Sequence, residues 1–301
     1  MQCSDWIDRD LYPFRSNYLE LPAGRMHYVD EGSGDPVVMV HGNPAWSFLY
    51  RSLIRGLSPD FRCVAPDHLG FGLSDKPAGW SHSPEAHASN LSRLIEALGL
   101  EDVTLVVQDW GGPIGLSYAI EKPASTSRIV IMNTWMWPVD RDWYYVAFSS
   151  FMGGAVGRFL ILRFNFFARV VMPMTYGDRR RLTREVHRHY LCPLKGPEER
   201  RGSAILPGQI TGSTPGLREL WDARAVLRVT PALILWGLKD IAFREKELDV
   251  WKSLLTDAAV ITLEGVGHFV QEEAPDVLVR EVRAFLTQPR DAILDAQGGQ
   301  K

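Results

Sequence analysis

The chain has 301 residues, of which 46% are hydrophobic and 23% are charged, and its formal net charge at pH 7 is −3. This length is enough for one large hydrophobic core, or for a core domain with an insertion. The balanced composition gives no reason to expect nucleic acid or an anionic surface as a partner. Three widely spaced cysteines lack the spacing of a metal site, and we expect them to be reduced thiols.

The first ten residues carry acids where a signal peptide needs a basic region followed by an apolar one. The most apolar stretch, 143–174, is interrupted by Arg158, Arg163 and Arg169. Its uncharged part is shorter than the ~18–20 residues that a membrane-spanning helix needs. We therefore expect a cytoplasmic protein without a membrane span.

Short apolar runs alternate with helical patterns along most of the chain. The predicted strands are 25–30, 36–41, 62–66, 103–108, 128–133, 232–236 and 259–263. The predicted helices lie near 47–57, 84–98, 111–121, 244–254 and 275–286. This alternation is typical of the α/β class, with a mostly parallel sheet flanked by helices.

The alternation stops between residues 134 and 223, where the sequence is rich in aromatic residues and has a helical pattern. We predict a helical cap at 134–223, inserted into a core domain formed by 1–133 and 224–301. Ligands of such sheets bind at the carboxyl edge, so Trp135, Trp137 and the 164–167 cluster are expected to line an apolar pocket there. The basic run 178–189 is interpreted as a solvated helix face, and the tail after Thr287 as frayed.

The segment around Asp109 is the most informative in the chain. An apolar run ends at Asp109, and Gly111 and Gly112 then open an amphipathic helix. This is the strand–turn–helix arrangement in which α/β-hydrolases present a nucleophile, usually serine. An aspartate is already an anion at pH 7, which favours direct attack by the carboxylate on an electrophilic carbon. The alternative is an ordinary N-cap residue.

Two residues near Asp109 in the predicted fold can donate hydrogen bonds to an anion. Asn43, in the loop after the 36–41 strand, and Trp110, after the nucleophile, occupy the positions that supply backbone N–H groups to an oxyanion hole. Their side chains are also donors, suited to a departing anion such as halide. Alternatively, Asn43 is a turn residue before Pro44, and Trp110 packs in the core.

Asp240 and His268 complete a nucleophile–acid–histidine order. Asp240 follows the strand at 232–236, and His268 lies on a glycine-flanked loop before the last helix. The order Asp109, Asp240, His268 is the one that this fold requires. The other histidines show no partner pattern, so we interpret them as surface or packing residues and expect no metal site.

The sequence resembles the haloalkane dehalogenase family over residues 11–286, most specifically in His41-Gly-Asn-Pro, Gln108-Asp-Trp-Gly-Gly, Trp236-Gly-Leu-Lys-Asp and Gly267-His-Phe. The resemblance implies an Asp109 nucleophile, a His268 base, an Asp240 acid, and halide held by Asn43 and Trp110. In one branch of the family the acid follows the sixth strand, where this chain has the neutral Asn133. The set is most similar to the third subfamily.

The implied reaction converts a small apolar haloalkane into an alcohol, halide and a proton through an ester on Asp109, without cofactor or metal. Three alternatives stay open. The third subfamily also resembles β-lactone decarboxylases. An epoxide hydrolase would use the same Asp109 and His268, with a tyrosine of the cap as the acid that protonates the ring oxygen. The candidates for this acid are Tyr144, Tyr145, Tyr176 and Tyr190. The third alternative is a non-catalytic receptor that binds an apolar ligand. The sequence is also compatible with a homo-oligomer.

Overall fold

The structure, a computed structural model, describes residues 6–288, so the predicted frayed tail lies almost wholly outside the described residues. An eight-stranded sheet in the order β1-β2-β4-β3-β5-β6-β7-β8 forms its centre. The strands are β1 (Asn17–Leu21), β2 (Gly24–Glu31), β3 (Pro36–Val40), β4 (Arg62–Pro66), β5 (Val103–Asp109), β6 (Thr126–Thr134), β7 (Ala232–Gly237) and β8 (Ala259–Leu263). β2 pairs antiparallel with β1 and β4, and the remaining pairs are parallel.

Helices cover both faces of this sheet. Their bounds are α1 (Arg51–Leu57), α2 (Pro84–Ala97), α3 (Gly111–Glu121), α4 (Trp143–Gly153), α5 (Ala155–Phe164), α6 (Met172–Met174), α7 (Arg184–Leu191), α8 (Arg201–Gly212), α9 (Thr214–Asp222), α10 (Glu245–Leu254), α11 (Val270–Glu273) and α12 (Pro275–Thr287). Six of them, α4 to α9, lie between β6 and β7, and this interval contains no strand.

Alternate residues of the central strands supply two separate cores. On β3, Val38 and Val40 pack into the core on one face of the sheet, and Val37 and Met39 pack into the core on the other. This period of two places every second side chain on the same face. Strands buried on both faces read as continuous apolar runs, which is why the sequence identified them.

One strand and one thiol depart from expectation. β1 was not predicted, because its side chains are alternately half-buried and exposed and it has no apolar run. Cys63 is a buried free thiol, but Cys192 is disulfide-bonded, so the expectation of reduced thiols is wrong there. Spacing along the chain does not report which cysteines approach in space.

No single helix among residues 6–288 has the length and apolar composition of a membrane span; α4 and α5 meet these criteria only as a pair bent by 57°.

Candidate active site

Asp109 lies at a sharp turn between β5 and α3. Its φ of +52° falls in the left-handed region, which costs free energy in a residue with a side chain. Neighbouring glycines make the turn possible, because a Cβ at Gly42 would overlap the Asp109 carboxylate and one at Gly111 would overlap the Val40 carbonyl. The turn therefore holds the carboxylate at the carboxyl edge of the sheet.

Two backbone amides bind this carboxylate. The Asn43 N–H donates to Asp109 Oδ1 at 2.7 Å, and the Trp110 N–H is the second donor. Burial raises the pKa of Asp109 from its ordinary 3.8, while nearby His268 and the two amides oppose that shift. The side chain is 15% exposed and faces a cavity, so the carboxylate oxygens stay accessible to a bound molecule.

His268 stands between two aspartates. Its Nδ1 lies 2.8 Å from Asp240 Oδ2, and its Nε2 lies 3.8 Å from Asp109 Oδ2. Burial disfavours the charged imidazolium, but the Asp240 carboxylate, its hydrogen bond to the ring and the Asp109 carboxylate together outweigh this effect, and the pKa of His268 is raised from its ordinary 6.5. This geometry leaves Nε2 directed toward the space beside Asp109.

Asn133 orients Asp240. Its Nδ2 donates to Asp240 Oδ2 at 2.9 Å, its Oδ1 accepts the Gly237 N–H at 2.9 Å, and the Ala242 N–H donates to Asp240 Oδ1 at 2.6 Å. The sequence identified Asn133 only as a neutral residue at an alternative acid position. Its contact with Asp240 crosses from β6 to the loop after β7, which no local pattern reports.

Gln108 is a second residue that the sequence did not assign. Its side-chain amide Nε2 lies 2.7 Å from His268 Nε2 and donates to the His268 carbonyl oxygen at 3.2 Å. An amide NH₂ can only donate, so this contact uses the lone pair of His268 Nε2 and fits the neutral ring. The strand pattern showed a buried position here but not its partner.

The two expected anion donors face the same cavity as Asp109. Asn43 Nδ2 donates to the Ser203 carbonyl at 3.4 Å, a long contact that leaves its second amide hydrogen available. The Trp110 indole N–H makes no hydrogen bond within the described residues. Beside it, Trp135 packs against the Trp110 ring at 4.6 Å, and its buried indole nitrogen also has no partner among residues 6–288.

The cavity has a volume of about 380 Å³, within the range of small-molecule sites. Asp109, His268, Asn43 and Trp110 lie on its wall, and the rest of the lining is almost wholly apolar. As expected, aromatic residues between β6 and β7 contribute, including Trp135, Phe166 and Phe167. The expectation was wrong for two of them, because Trp137 packs between Trp221 and Trp251, and Phe164 is exposed.

The tyrosines considered as acids for an epoxide are otherwise engaged or lie elsewhere. The Tyr144 hydroxyl donates to the Ile241 carbonyl, and that of Tyr145 donates to the Ala242 carbonyl. Tyr190 donates to Glu272, and neither Tyr176 nor Tyr190 lines the cavity. None of the four hydroxyls is therefore positioned to protonate a leaving oxygen beside Asp109.

The remaining histidines are mostly interior residues. His27 is buried against Asp67, with His27 Nδ1 2.9 Å from Asp67 Oδ2. His41, His68 and His87 form adjacent ring contacts beneath the loop that carries Asn43. These histidines are therefore buried packing residues next to that loop, and they are not part of the site.

Comparison with known proteins finds matches over most of the chain. A family model described as the alpha/beta hydrolase fold matches residues 35–275. The chain is 41% identical to haloalkane dehalogenase 2 of Mycobacterium tuberculosis, over 89% of this chain and 94% of that protein. It is 33% identical to a cis-3-alkyl-4-alkyloxetan-2-one decarboxylase of Shewanella oneidensis, over 92% and 90% respectively. A solved haloalkane dehalogenase from Bradyrhizobium elkani superposes with a TM-score of 0.83 at 27% identity, covering 94% of this chain and 99% of that one.

Proposed function

Because the chain belongs to the haloalkane dehalogenase family of the α/β-hydrolase superfamily, we propose that it hydrolyses small haloalkanes through a covalent ester on Asp109. The same membership confirms the predicted fold and makes the protein a hydrolase that acts on carbon–halide bonds. The observation that carries the mechanism is the carboxylate of Asp109 at the turn, facing an apolar cavity with His268 Nε2 3.8 Å away.

In the first step, an Asp109 oxygen attacks the carbon that bears the halogen, a C–O bond forms, and the C–halogen bond breaks. The electron pair leaves with the halide, which accepts hydrogen bonds from the Trp110 indole and the Asn43 amide. A low-polarity cavity strengthens these bonds because little water competes for the anion.

In the second step, a water replaces the Gln108 amide at the lone pair of His268 Nε2 and gives its proton to that nitrogen, and the resulting hydroxide attacks the ester carbonyl. The Asn43 and Trp110 backbone amides stabilise the oxyanion, a contribution of roughly 3 kcal/mol per donor in other hydrolases. Asp240 stabilises the imidazolium, and Asn133 keeps Asp240 in place. Collapse releases the alcohol and restores the Asp109 carboxylate, and the proton leaves His268 for solvent.

This set of Asp109, His268 and Asp240 with the Asn43–Trp110 pair fits the third subfamily of the family. We also propose the division into a core domain of 1–133 and 224–301 and a cap of 134–223, because the cavity is lined from both parts. The decarboxylase relative makes a β-lactone the second candidate substrate. The engaged hydroxyls of Tyr144 and Tyr145 argue against an epoxide.

The test is to trap the ester. His268→Phe, incubated with 1-bromobutane, should release one equivalent of bromide and carry a butyl group on Asp109, as read by intact mass and peptide mapping. His187→Phe is the matched control, since His187 lies away from the cavity, and it should turn over without accumulating an adduct.

Bromide release without an adduct on Asp109 would contradict the covalent mechanism. If the wild-type protein does not convert bromoalkanes but converts long-chain β-lactones, the proposed substrate would change from a haloalkane to a β-lactone. Adding Asp109→Asn to His268→Phe should abolish both the bromide release and the adduct.

A further inference from the structure

The segment from α4 to α6 carries an unusual amount of exposed apolar surface. Among residues 6–288, eleven large apolar side chains are exposed, and seven of them lie between Trp143 and Met174. Trp143 is 78% exposed, Val156 62% and Phe159 59%. Isolated exposed apolar residues are ordinary, but a concentration within one segment marks an interaction surface.

These side chains follow the helical period. On α4, Trp143, Ala147 and Phe151 are exposed at intervals of four, and on α5 Val156 and Phe159 are exposed at an interval of three. The opposite faces of these helices pack against the rest of the protein, since Ser149 of α4 donates to the Pro207 carbonyl on α8 and Ile161 of α5 is buried. The exposed side chains on this segment, which we call the α4–α6 surface, are Trp143, Phe151, Val156, Phe159, Phe164, Val170 and Met174.

The charges on this surface are of one sign. Residues 143–177 contain no Asp or Glu, and their charged side chains are Arg158, Arg163 and Arg169. All three are exposed, and none forms an ion pair with a described carboxylate. Because the whole chain has a net charge of −3, this positive region is local and its sign is opposite to that of the remainder.

The surface adjoins the mouth of the cavity. Phe151 and Met174 line the cavity and are also exposed, at 54% and 48%. An apolar molecule that leaves a hydrocarbon phase at this surface would reach the cavity without crossing bulk water. This placement holds whatever reaction the cavity supports.

We propose that the α4–α6 surface docks peripherally on anionic lipid bilayers, with aromatic and aliphatic side chains in the interface and the arginines on lipid phosphates. Apolar side chains interspersed with cations are the signature of interfacial helices, and tryptophan favours the headgroup level. A second copy fits poorly, because a two-fold contact places the same patch on itself and would oppose arginines without acids.

The test is co-sedimentation with vesicles of phosphatidylcholine alone or of phosphatidylcholine and phosphatidylglycerol at 3:1. The wild type should bind the anionic vesicles more tightly and release them in 0.5 M NaCl. Arg158→Gln/Arg163→Gln should lower the affinity for anionic vesicles about thirtyfold, since each cation near such a surface contributes about fivefold. Trp143→Ser/Phe159→Ser should lower it at least about tenfold.

Arg228→Gln/Val229→Ser is the matched control, since it removes an exposed cation and an exposed apolar side chain outside the α4–α6 surface. It should bind as the wild type does. Thermal melts report whether each variant folds, and the exposed arginines keep the charge variant informative if the apolar variant is unstable.

Equal sedimentation of the wild type with neutral and anionic vesicles would overturn the proposal, as would unchanged binding by both surface variants. Light scattering measures whether the protein is a monomer or a dimer. A wild-type dimer that Trp143→Ser/Phe159→Ser makes monomeric, without vesicle binding, would assign the surface to a second copy instead.

Discussion

Moving the negative charge behind His268 tests the assignment of Asp240. In the structure, Asp240 Oδ2 lies 2.8 Å from His268 Nδ1, and Asn133 Nδ2 lies 2.9 Å from the same oxygen. Asp240→Asn removes the charge while keeping the shape. Asn133→Asp on that background returns a carboxylate one hydrogen bond farther away, at roughly twice the distance from the imidazole.

The expected magnitudes follow from these distances. At an effective dielectric constant of about 20, a carboxylate at 2.8 Å attracts an imidazolium by about 6 kcal/mol, and at twice that distance by about 3 kcal/mol. The double variant should therefore stay about a hundredfold slower than wild type in ester hydrolysis. Asp240→Asn alone should lose about 10⁴-fold, as in comparable triads.

Rapid-quench measurement separates the two steps, because alkylation gives a burst of bromide and hydrolysis gives the alcohol. The burst should survive in Asp240→Asn, since Asp109 does not need His268 to attack. Near wild-type alcohol formation by Asp240→Asn would refute the reasoning, and so would a double variant no faster than the single one in a folded protein.

Three further predictions use the same assay. Trp110→Leu should slow the bromide burst about a hundredfold, through loss of the indole donor to the leaving halide, and change ester hydrolysis much less; equal loss in both steps would contradict this role. Hydrolysis should fall as the pH drops through the pKa of His268, because the base must be neutral; burial opposes and Asp240 favours the raised pKa of this ring. The bromide burst should persist to lower pH, since it needs only ionised Asp109. Gln108→Leu should shift the hydrolysis profile upward by about one pH unit, because the amide no longer stabilises neutral His268; an unchanged profile would show that Gln108 only fills space.

The central parallel strands were predictable because each is buried on both faces, whereas the parallel edge strand β8 is half-buried or exposed and was predictable from its apolar run alone. Val103 to Val107 is apolar except for Thr104, and Ala232 to Trp236 is wholly apolar, as is typical of strands in a covered parallel sheet. The edge strand β1 was not predictable in this way, since the sheet buries neither of its faces fully and its residues resemble a loop.

The residues proposed for the chemistry were visible in the sequence because each follows a strand in a recognisable context. Gly111 and Gly112 identify the turn at Asp109, and the glycines around His268 identify its loop. The supporting residues gave no such signal. Gln108 and Asn133 look like ordinary positions near strand ends, and the partners that give them a role lie 160 and 107 residues away.

By itself, the sequence determined the central strands, the carboxylate at the turn and the chain order of Asp109, Asp240 and His268, because these depend on apolar runs and on glycines beside particular residues. Only the tertiary structure decided which side chains surround them. It directed the Tyr144 and Tyr145 hydroxyls to backbone carbonyls, set Asn133 behind Asp240, and left the outer faces of α4 and α5 uncovered. Such contacts join segments far apart in the chain, and their geometry is fixed by packing, which no local pattern encodes.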